Sequence, residues 1–287
     1  MVRAGEAISA PVSGRYDVIP GQRSLVSSET PMSTTFKIVI PARYASTRLP
    51  GKPMRLLAGK PMLQHVHERA RASGAQEIVI ATDDERIAAA AAGFGADVCM
   101  TSAAHTSGTE RLCEVVTTRG WGDEAIVVNL QGDEPLLSPA LVDQVAVDLD
   151  SHPTAAIATL AYPLKASENE TDPNIVKVVV DRDGYALYFS RAPIPWHRDP
   201  LETGSGLPGA NPMLHHVGLY AYRARFLRDY SRLEPSPLEV FEKLEQLRAL
   251  WYGRKIHVGI AETVPAPGVD TEADLARVEG VLSKLGA

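Results

Sequence analysis

The stretch FKIVIPARYASTRLPGKP, Phe36 to Pro53, decides the reading of this chain. Its first five residues, Phe36 to Ile40, form a short apolar run of the kind a buried β-strand requires. A loop rich in glycine and proline follows, and then an amphipathic segment from Met62 to Ala72. Strand, loop and helix in that order make a β-loop-α unit, and open α/β sheets hold their ligands at the carboxyl ends of such strands.

Downstream the alternation repeats. Glu77 to Ala81 reads as strand, Asp84 to Ala92 as helix, Asp97 to Met100 as strand and Ser107 to Arg119 as helix. Ala125 to Leu130 is a further strand and Pro139 to Leu149 a further helix. Strands that alternate with helices predict a mainly parallel, Rossmann-like sheet in a three-layer α/β fold. After residue 150 the order loosens. Ala155 to Ala161 and Val176 to Asp181 look like strands, and Asp183 with Gly184 supplies a hairpin turn into Ala186 to Ser190. Val217 to Tyr222 reads as strand, Pro237 to Trp251 as one helix, Lys255 to Ala261 as a last strand and Thr271 to Leu285 as a last helix. The expected organisation is a flexible extension over residues 1–34 and a single domain over 35–287, with a smaller antiparallel lobe embedded at about 155–225.

The 287 residues are 45% hydrophobic and 22% charged, which places the chain among globular proteins rather than disordered ones. A net charge of −6 gives no global positive field for nucleic acid or an anionic membrane, so an anionic ligand needs a local basic cluster. Cys99 and Cys113 have no CxxC spacing, and no signal peptide or long apolar run is visible, so a reduced, cytoplasmic setting is expected.

The loop after the first strand is that basic cluster. Arg43, Arg48 and Lys52 fall within ten residues, beside the hydroxyls of Ser46 and Thr47. A triphosphate needs such cations together with backbone N–H donors. An ordinary surface loop is the bland alternative, although flanking prolines favour a rigid one. The glycine spacing is not that of GxxxxGK[ST]. Asp133, in the sequence QGDEP after the strand ending at Leu130, stands at the same sheet edge. Asp270 precedes the last helix and reads either as its N-cap or as a metal ligand. Paired with Asp133 it meets the requirement of Mg²⁺ for one or two carboxylates, with water and phosphate oxygens completing the octahedron.

Taken together and in order, IPARYASTRLPGKP, SGTER, NLQGDEP, YALYFSRAPIPW and LEQLRALWYG resemble the 3-deoxy-manno-octulosonate (Kdo) cytidylyltransferases from about Phe36 to the C-terminus. The resemblance implies transfer of CMP from CTP to Kdo, giving CMP-Kdo and pyrophosphate for lipopolysaccharide synthesis. A cytidylyltransferase for another acidic sugar, such as a sialic acid, is the alternative. It implies Arg43, Lys52 and Asp133 in catalysis, and Ala42, Arg43, Arg48, Lys52, Thr82, Asp83, Ser107, Gly108 and Thr109 around the nucleotide. Asp133 and Asp270 hold Mg²⁺ in this reading. The sugar falls to Gln131, Tyr188, Ser190, Arg191, His216, Glu245 and Gln246, with Arg191 facing its carboxylate. It further implies a homodimer formed through the second lobe, with no nucleic-acid or membrane partner. His197 departs from the aspartate expected in many relatives.

Other motifs carry little. The glycines at 204, 206 and 209 match GxGxxG without a preceding strand or following helix, and Pro208 obstructs one. His65 and His67, two apart on a helix, point to different faces.

Overall fold

The computed structural model describes residues 34–45, 49–105, 107–165, 167–196, 198 and 213–285. The expected extension, Arg48, His197 and the GxGxxG match lie outside the described residues, except that Thr34 is described. The chain opens with β1 (Phe36–Ala42), a two-stranded ribbon of β2 (Leu56–Leu57) and β3 (Lys60–Pro61), and α1 (Met62–Arg71). There follow β4 (Glu77–Thr82), α2 (Glu85–Gly93), β5 (Asp97–Met100), α3 (Gly108–Thr118), β6 (Ile126–Asn129), α4 (Pro139–Ser151) and β7 (Ile157–Pro163). The second half adds β8 (Lys177–Val180), β9 (Ala186–Ser190), β10 (Leu214–Arg223), α5 (Ala224–Tyr230), α6 (Pro237–Glu242), α7 (Gln246–Trp251), β11 (Ile256–Ile260) and α8 (Glu272–Leu285).

The principal sheet runs β11-β7-β10-β6-β1-β4-β5. β1 pairs in parallel with β4 and β6, β4 with β5, and β7 with β11, whereas β10 is antiparallel to both its neighbours. Apolar side chains are buried on both faces. One layer gathers Ile38, Ile40, Leu63, Val66, Leu141 and Val145, and the other Val39, Val79, Leu112, Val116, Phe226 and Leu247. Burial on both sides explains why β1 is an unbroken apolar run and not an alternating one.

Within 155–225, β7 and β10 run through the principal sheet. Among the described residues of that stretch, the β8–β9 ribbon lies off the main strand path, pairing with the start of β10 at Leu214 and His215. Gly184, at the tip of that ribbon, has φ +83°, and a Cβ there would meet His257 Nε2 at 2.7 Å. The single helix expected over Pro237 to Trp251 is two short helices. Lys243 ends α6 in the left-handed region, at φ 56° and ψ 46°, and the chain turns before α7 begins. Periodicity missed α5, a seven-residue helix too short to display a clear apolar period.

A third, small cluster matters most for the site. Leu49 and Leu57 from the region after β1, with Met62 from α1, pack against Val269, Leu275, Val278 and Leu282 from the C-terminal segment. Arg55 clamps Glu272 with two bonds of 2.7 and 2.8 Å, and the Ala58 N–H donates to Glu279 at 2.7 Å. These contacts fold the end of the chain over the loop after its first strand. No helix among the described residues is long and apolar enough to cross a membrane.

Candidate functional site

At the carboxyl ends of β1 and β6 lies a cleft of about 400 Å³ lined by Pro41, Ala42, Arg43, Ala45, Lys52, Pro53, Gln131, Gly132, Asp133 and Asp270. The basic turn and both aspartates therefore share one wall. Gly132 is required there: a Cβ would lie 2.9 Å from the Pro41 carbonyl oxygen, inside any tolerable contact. Gly51, at φ +66°, sets the turn that presents Lys52.

Lys52 Nζ donates to Asp133 Oδ2 at 2.6 Å and to Asp270 Oδ1 at 2.9 Å. Burial lowers the pKa of this ammonium, but the two carboxylates outweigh that effect and hold it above the ordinary lysine value. The ambiguity at Asp270 is resolved by its neighbour. Thr271 Oγ1 accepts from the Asp274 N–H at 3.2 Å, and Asp274 Oδ2 accepts from the Thr271 N–H at 3.0 Å. That reciprocal pair caps α8, and the Asp270 carboxylate meets Lys52 in the cleft. Two carboxylates from remote segments thus converge closely enough to share one cation. An all-oxygen pair of this kind suits a hard divalent ion such as Mg²⁺.

Burial and the nearby Asp133 charge push the Glu134 carboxyl up to about 7. Sequence reading overlooked Glu134, although its place directly after Asp133 was a usable signal. Arg43 Nη2 is buried without a hydrogen-bond partner among the described residues, as is Nε of fully buried Arg111. Arg111 is held by Thr101 and, at 3.4 Å, by Asp83. Thr82 is fully buried and its hydroxyl accepts from the Asp84 N–H at 3.2 Å. Ser107 caps α3 by accepting from the Glu110 N–H at 3.2 Å, and Gly108 packs near Pro41.

Beyond Gln131 and Glu134 the cleft passes into a cavity of about 350 Å³, whose wall includes Thr109, Asn129, Tyr220, Tyr222, Tyr230, Glu245 and Gln246. Gln131 lines both spaces. Asn129 Oδ1, Tyr230 OH and Gln246 Nε2 are buried there without partners among the described residues. Such atoms call for a polar ligand or water. Desolvation raises the Glu245 carboxyl despite the Thr109 hydroxyl that donates to it at 2.7 Å. Asn129, Tyr220 and Tyr222 were not foreseen, because nothing in an apolar strand pattern marks which side chains will face a cavity.

The remaining sugar candidates sit outside that wall. Ser190 Oγ donates to Glu242 at 2.7 Å, and burial raises Tyr188, which faces the same carboxylate. The guanidinium of Arg191 is turned to backbone: Nε donates to the Glu242 carbonyl and Nη1 to the Pro173 carbonyl, each at 2.7 Å. His216 is buried behind the cavity, 3.0 Å from the Thr159 hydroxyl, and burial lowers its pKa to about 3.

Away from the cleft, Asp148, His152 and His257 bring potential ligand atoms within 4.8 Å. The two imidazoles stack at 3.5 Å and 15°, so their in-plane lone pairs run side by side instead of converging on one ion. The group ties α4 to β11 through the 2.7 Å contact of His257 Nδ1 with Asp148.

Residues 37–256 match the family model described as cytidylyltransferase. A 3-deoxy-manno-octulosonate cytidylyltransferase of Nitrosococcus oceani is 58% identical over 250 residues, covering 86% of this chain and 96% of that protein. One from Aliivibrio fischeri is 56% identical over 250 residues, covering 87% and 100%. The solved structure of a CMP:2-keto-3-deoxy-manno-octonic acid synthetase complexed with CTP superposes with a TM-score of 0.78 at 42% identity, covering 88% of this chain and 100% of that one. This chain accordingly belongs to the cytidylyltransferase family, in the group of the 3-deoxy-manno-octulosonate cytidylyltransferases.

Proposed function

We propose that this chain transfers CMP from CTP to 3-deoxy-manno-octulosonate, releasing pyrophosphate and supplying CMP-Kdo for lipopolysaccharide synthesis. The observation that carries the reading is the shared wall at Gln131: a basic, carboxylate-bearing cleft opens into a cavity whose lining holds polar atoms unpartnered among the described residues. The first space suits a triphosphate and the second a polyhydroxylated acid.

The anomeric hydroxyl of the sugar acid attacks the α-phosphorus of CTP. One O–P bond forms as the bond to the β-phosphate bridging oxygen breaks, and the hydroxyl proton leaves to base or solvent. Arg43 and Lys52 neutralise the triphosphate and the pyrophosphate as it departs, Arg43 as a fork and Lys52 as a mobile point charge. Asp133 and Asp270 would hold Mg²⁺, which supplies Lewis-acid polarisation of the phosphate oxygens when bound. Gln131, between the two spaces, aligns the acceptor with the α-phosphate. The backbone at Ala81 to Asp83 and Ser107 to Thr109 receives the cytosine.

Pyrophosphate release from CTP, assayed with Kdo and with a sialic acid, tests this function. Turnover with Kdo is expected, and turnover with the sialic acid alone would replace the acceptor. An Asp133→Ala chain that folds and retains full turnover would remove the metal assignment.

The same reading includes a homodimer. Phe241 is 90% exposed on α6, next to exposed Val240 and Leu238, and Leu187 on β9 is also exposed. β9 and α6 are joined through Ser190, Arg191 and Glu242. An apolar group of this kind supports self-association. Light scattering of the wild type and of Phe241→Glu tests it, the variant being expected to be monomeric.

A further inference from the structure

The place between the two cleft aspartates is held by the chain's own cation. Lys52 has a side chain only 12% exposed, whereas those of Asp133 and Asp270 are 37% and 51% exposed. The ammonium therefore reaches the pair from the protein side. A divalent ion bound by both carboxylates would come within a few ångströms of that ammonium, where like charges repel strongly. One of the two cations must give way.

We propose that Lys52 is a resident counter-ion of the Asp133–Asp270 pair, which yields both carboxylates to the divalent ion and swings onto the triphosphate. This rests on the assignment of the aspartates as the metal pair. It adds that metal and nucleotide affinity are coupled through one lysine. Without CTP, metal binding strands an ammonium that has lost both partners, so the enzyme holds the ion weakly. With CTP, the ammonium has a new anionic partner, and the ion binds without that penalty. By reciprocity the metal promotes the lysine's contact with phosphate to the same degree.

The surroundings permit the exchange. Gly51 and the short turn Lys52–Met54 are pinned by the bonds from the Met54 N–H to the Gly51 carbonyl, 2.8 Å, and from the Gly51 N–H to the Tyr44 carbonyl, 3.2 Å. The backbone can stay still while the four-carbon stem moves. The same cleft contains Arg43, so the phosphate position the lysine would move to is already electropositive.

The test uses Mn²⁺ alone as probe, with no nucleotide, and reads free Mn²⁺ by electron paramagnetic resonance at low and high salt. Lys52→Met is expected to bind Mn²⁺ about tenfold more tightly than the wild type, within the usual range of coupling between sites. The gain should persist at high salt, because competition for ligands is not screened as a distant charge is. Lys52→Arg, which keeps the charge, should bind no more tightly than the wild type. Equal or weaker binding by Lys52→Met, no detectable binding by it, or a gain that disappears with salt overturns the proposal. Asp133→Asn in the Lys52→Met background separates the two ideas: undiminished Mn²⁺ binding there would show that the metal assignment itself is wrong. Turnover of CTP and Kdo by the wild type stands independently of either result.

Discussion

The Val269 N–H donates to the Asp133 carbonyl oxygen at 2.9 Å, so the segments carrying the two cleft aspartates are stitched together by backbone one residue before Asp270. Gly268 makes the approach possible, since a Cβ there would stand 3.2 Å from the same oxygen. The spacing of Asp133 and Asp270 is thus fixed by main chain, and Lys52 reports it by touching both.

Groups fixed as a unit should fail as a unit. Asp133→Asn and Asp270→Asn are each expected to lower kcat about 100-fold or more, the scale for losing one preorganised electrostatic group. The double variant should fall little further, because either single change already disables the pair. Pyrophosphate release under saturating CTP and sugar measures all three, and fully multiplicative losses would show that the aspartates act separately.

Gly132→Ala should be costly out of proportion to one methyl group. The added carbon meets a backbone carbonyl that cannot rotate away, so either β1 or the QGDEP turn must shift. We expect about 1–3 kcal/mol of lost stability, as for overpacking elsewhere. At temperatures where the variant stays folded, kcat/KM should fall about tenfold or more, since Asp133 and Gln131 move with the turn. Thermal melts and steady-state kinetics check the two effects separately.

Leu282→Ala tests the small cluster that holds α8 over the site. Removal of this buried side chain should cost about 2–4 kcal/mol. Loosening α8 also frees Asp270, so the Mg²⁺ concentration giving half-maximal rate should rise. The rate at saturating Mg²⁺ should be largely kept. An unchanged Mg²⁺ requirement would show that Asp270 is placed without help from α8.

His216 predicts a pH dependence with a definite sign. Its folded pKa of about 3 lies below the ordinary value of 6.5, so only the unfolded chain takes up the proton between these limits. The stability this neutral ring permits is complete above pH 6.5. It is lost by about 1.4 kcal/mol per pH unit as pH falls towards 3. Denaturant titrations from pH 7 to pH 4.5 should show a shallower decline for His216→Gln than for the wild type. Equal slopes would mean that the buried ring takes up its proton near the usual pH.

Much of this architecture is legible along the chain. Phe36 to Ile40, Asp97 to Met100 and Met62 onward announce their elements because strand and helix periods are local properties of the backbone. The order of IPARYASTRLPGKP, SGTER and NLQGDEP likewise fixed the family, which the relatives at 58% and 56% identity bear out. Charge type and sheet edge were enough to nominate Arg43, Lys52 and Asp133.

Other features required the folded chain, because they depend on contacts between distant segments. Local preference alone favoured Asp270 as a cap, and only the folded chain shows Thr271 and Asp274 taking that role while the Asp270 carboxylate meets Lys52. Arg191 was nominated for a ligand, yet whether its donors meet carbonyls or a cavity depends on where α6 ends, and Lys243 sets that by turning left-handed. Asn129 and Gln246 gained atoms unpartnered among the described residues only when β6 and α7 closed around one space. Sequence specified which chemical groups were present and which strand ends carried them; long-range packing decided which groups met.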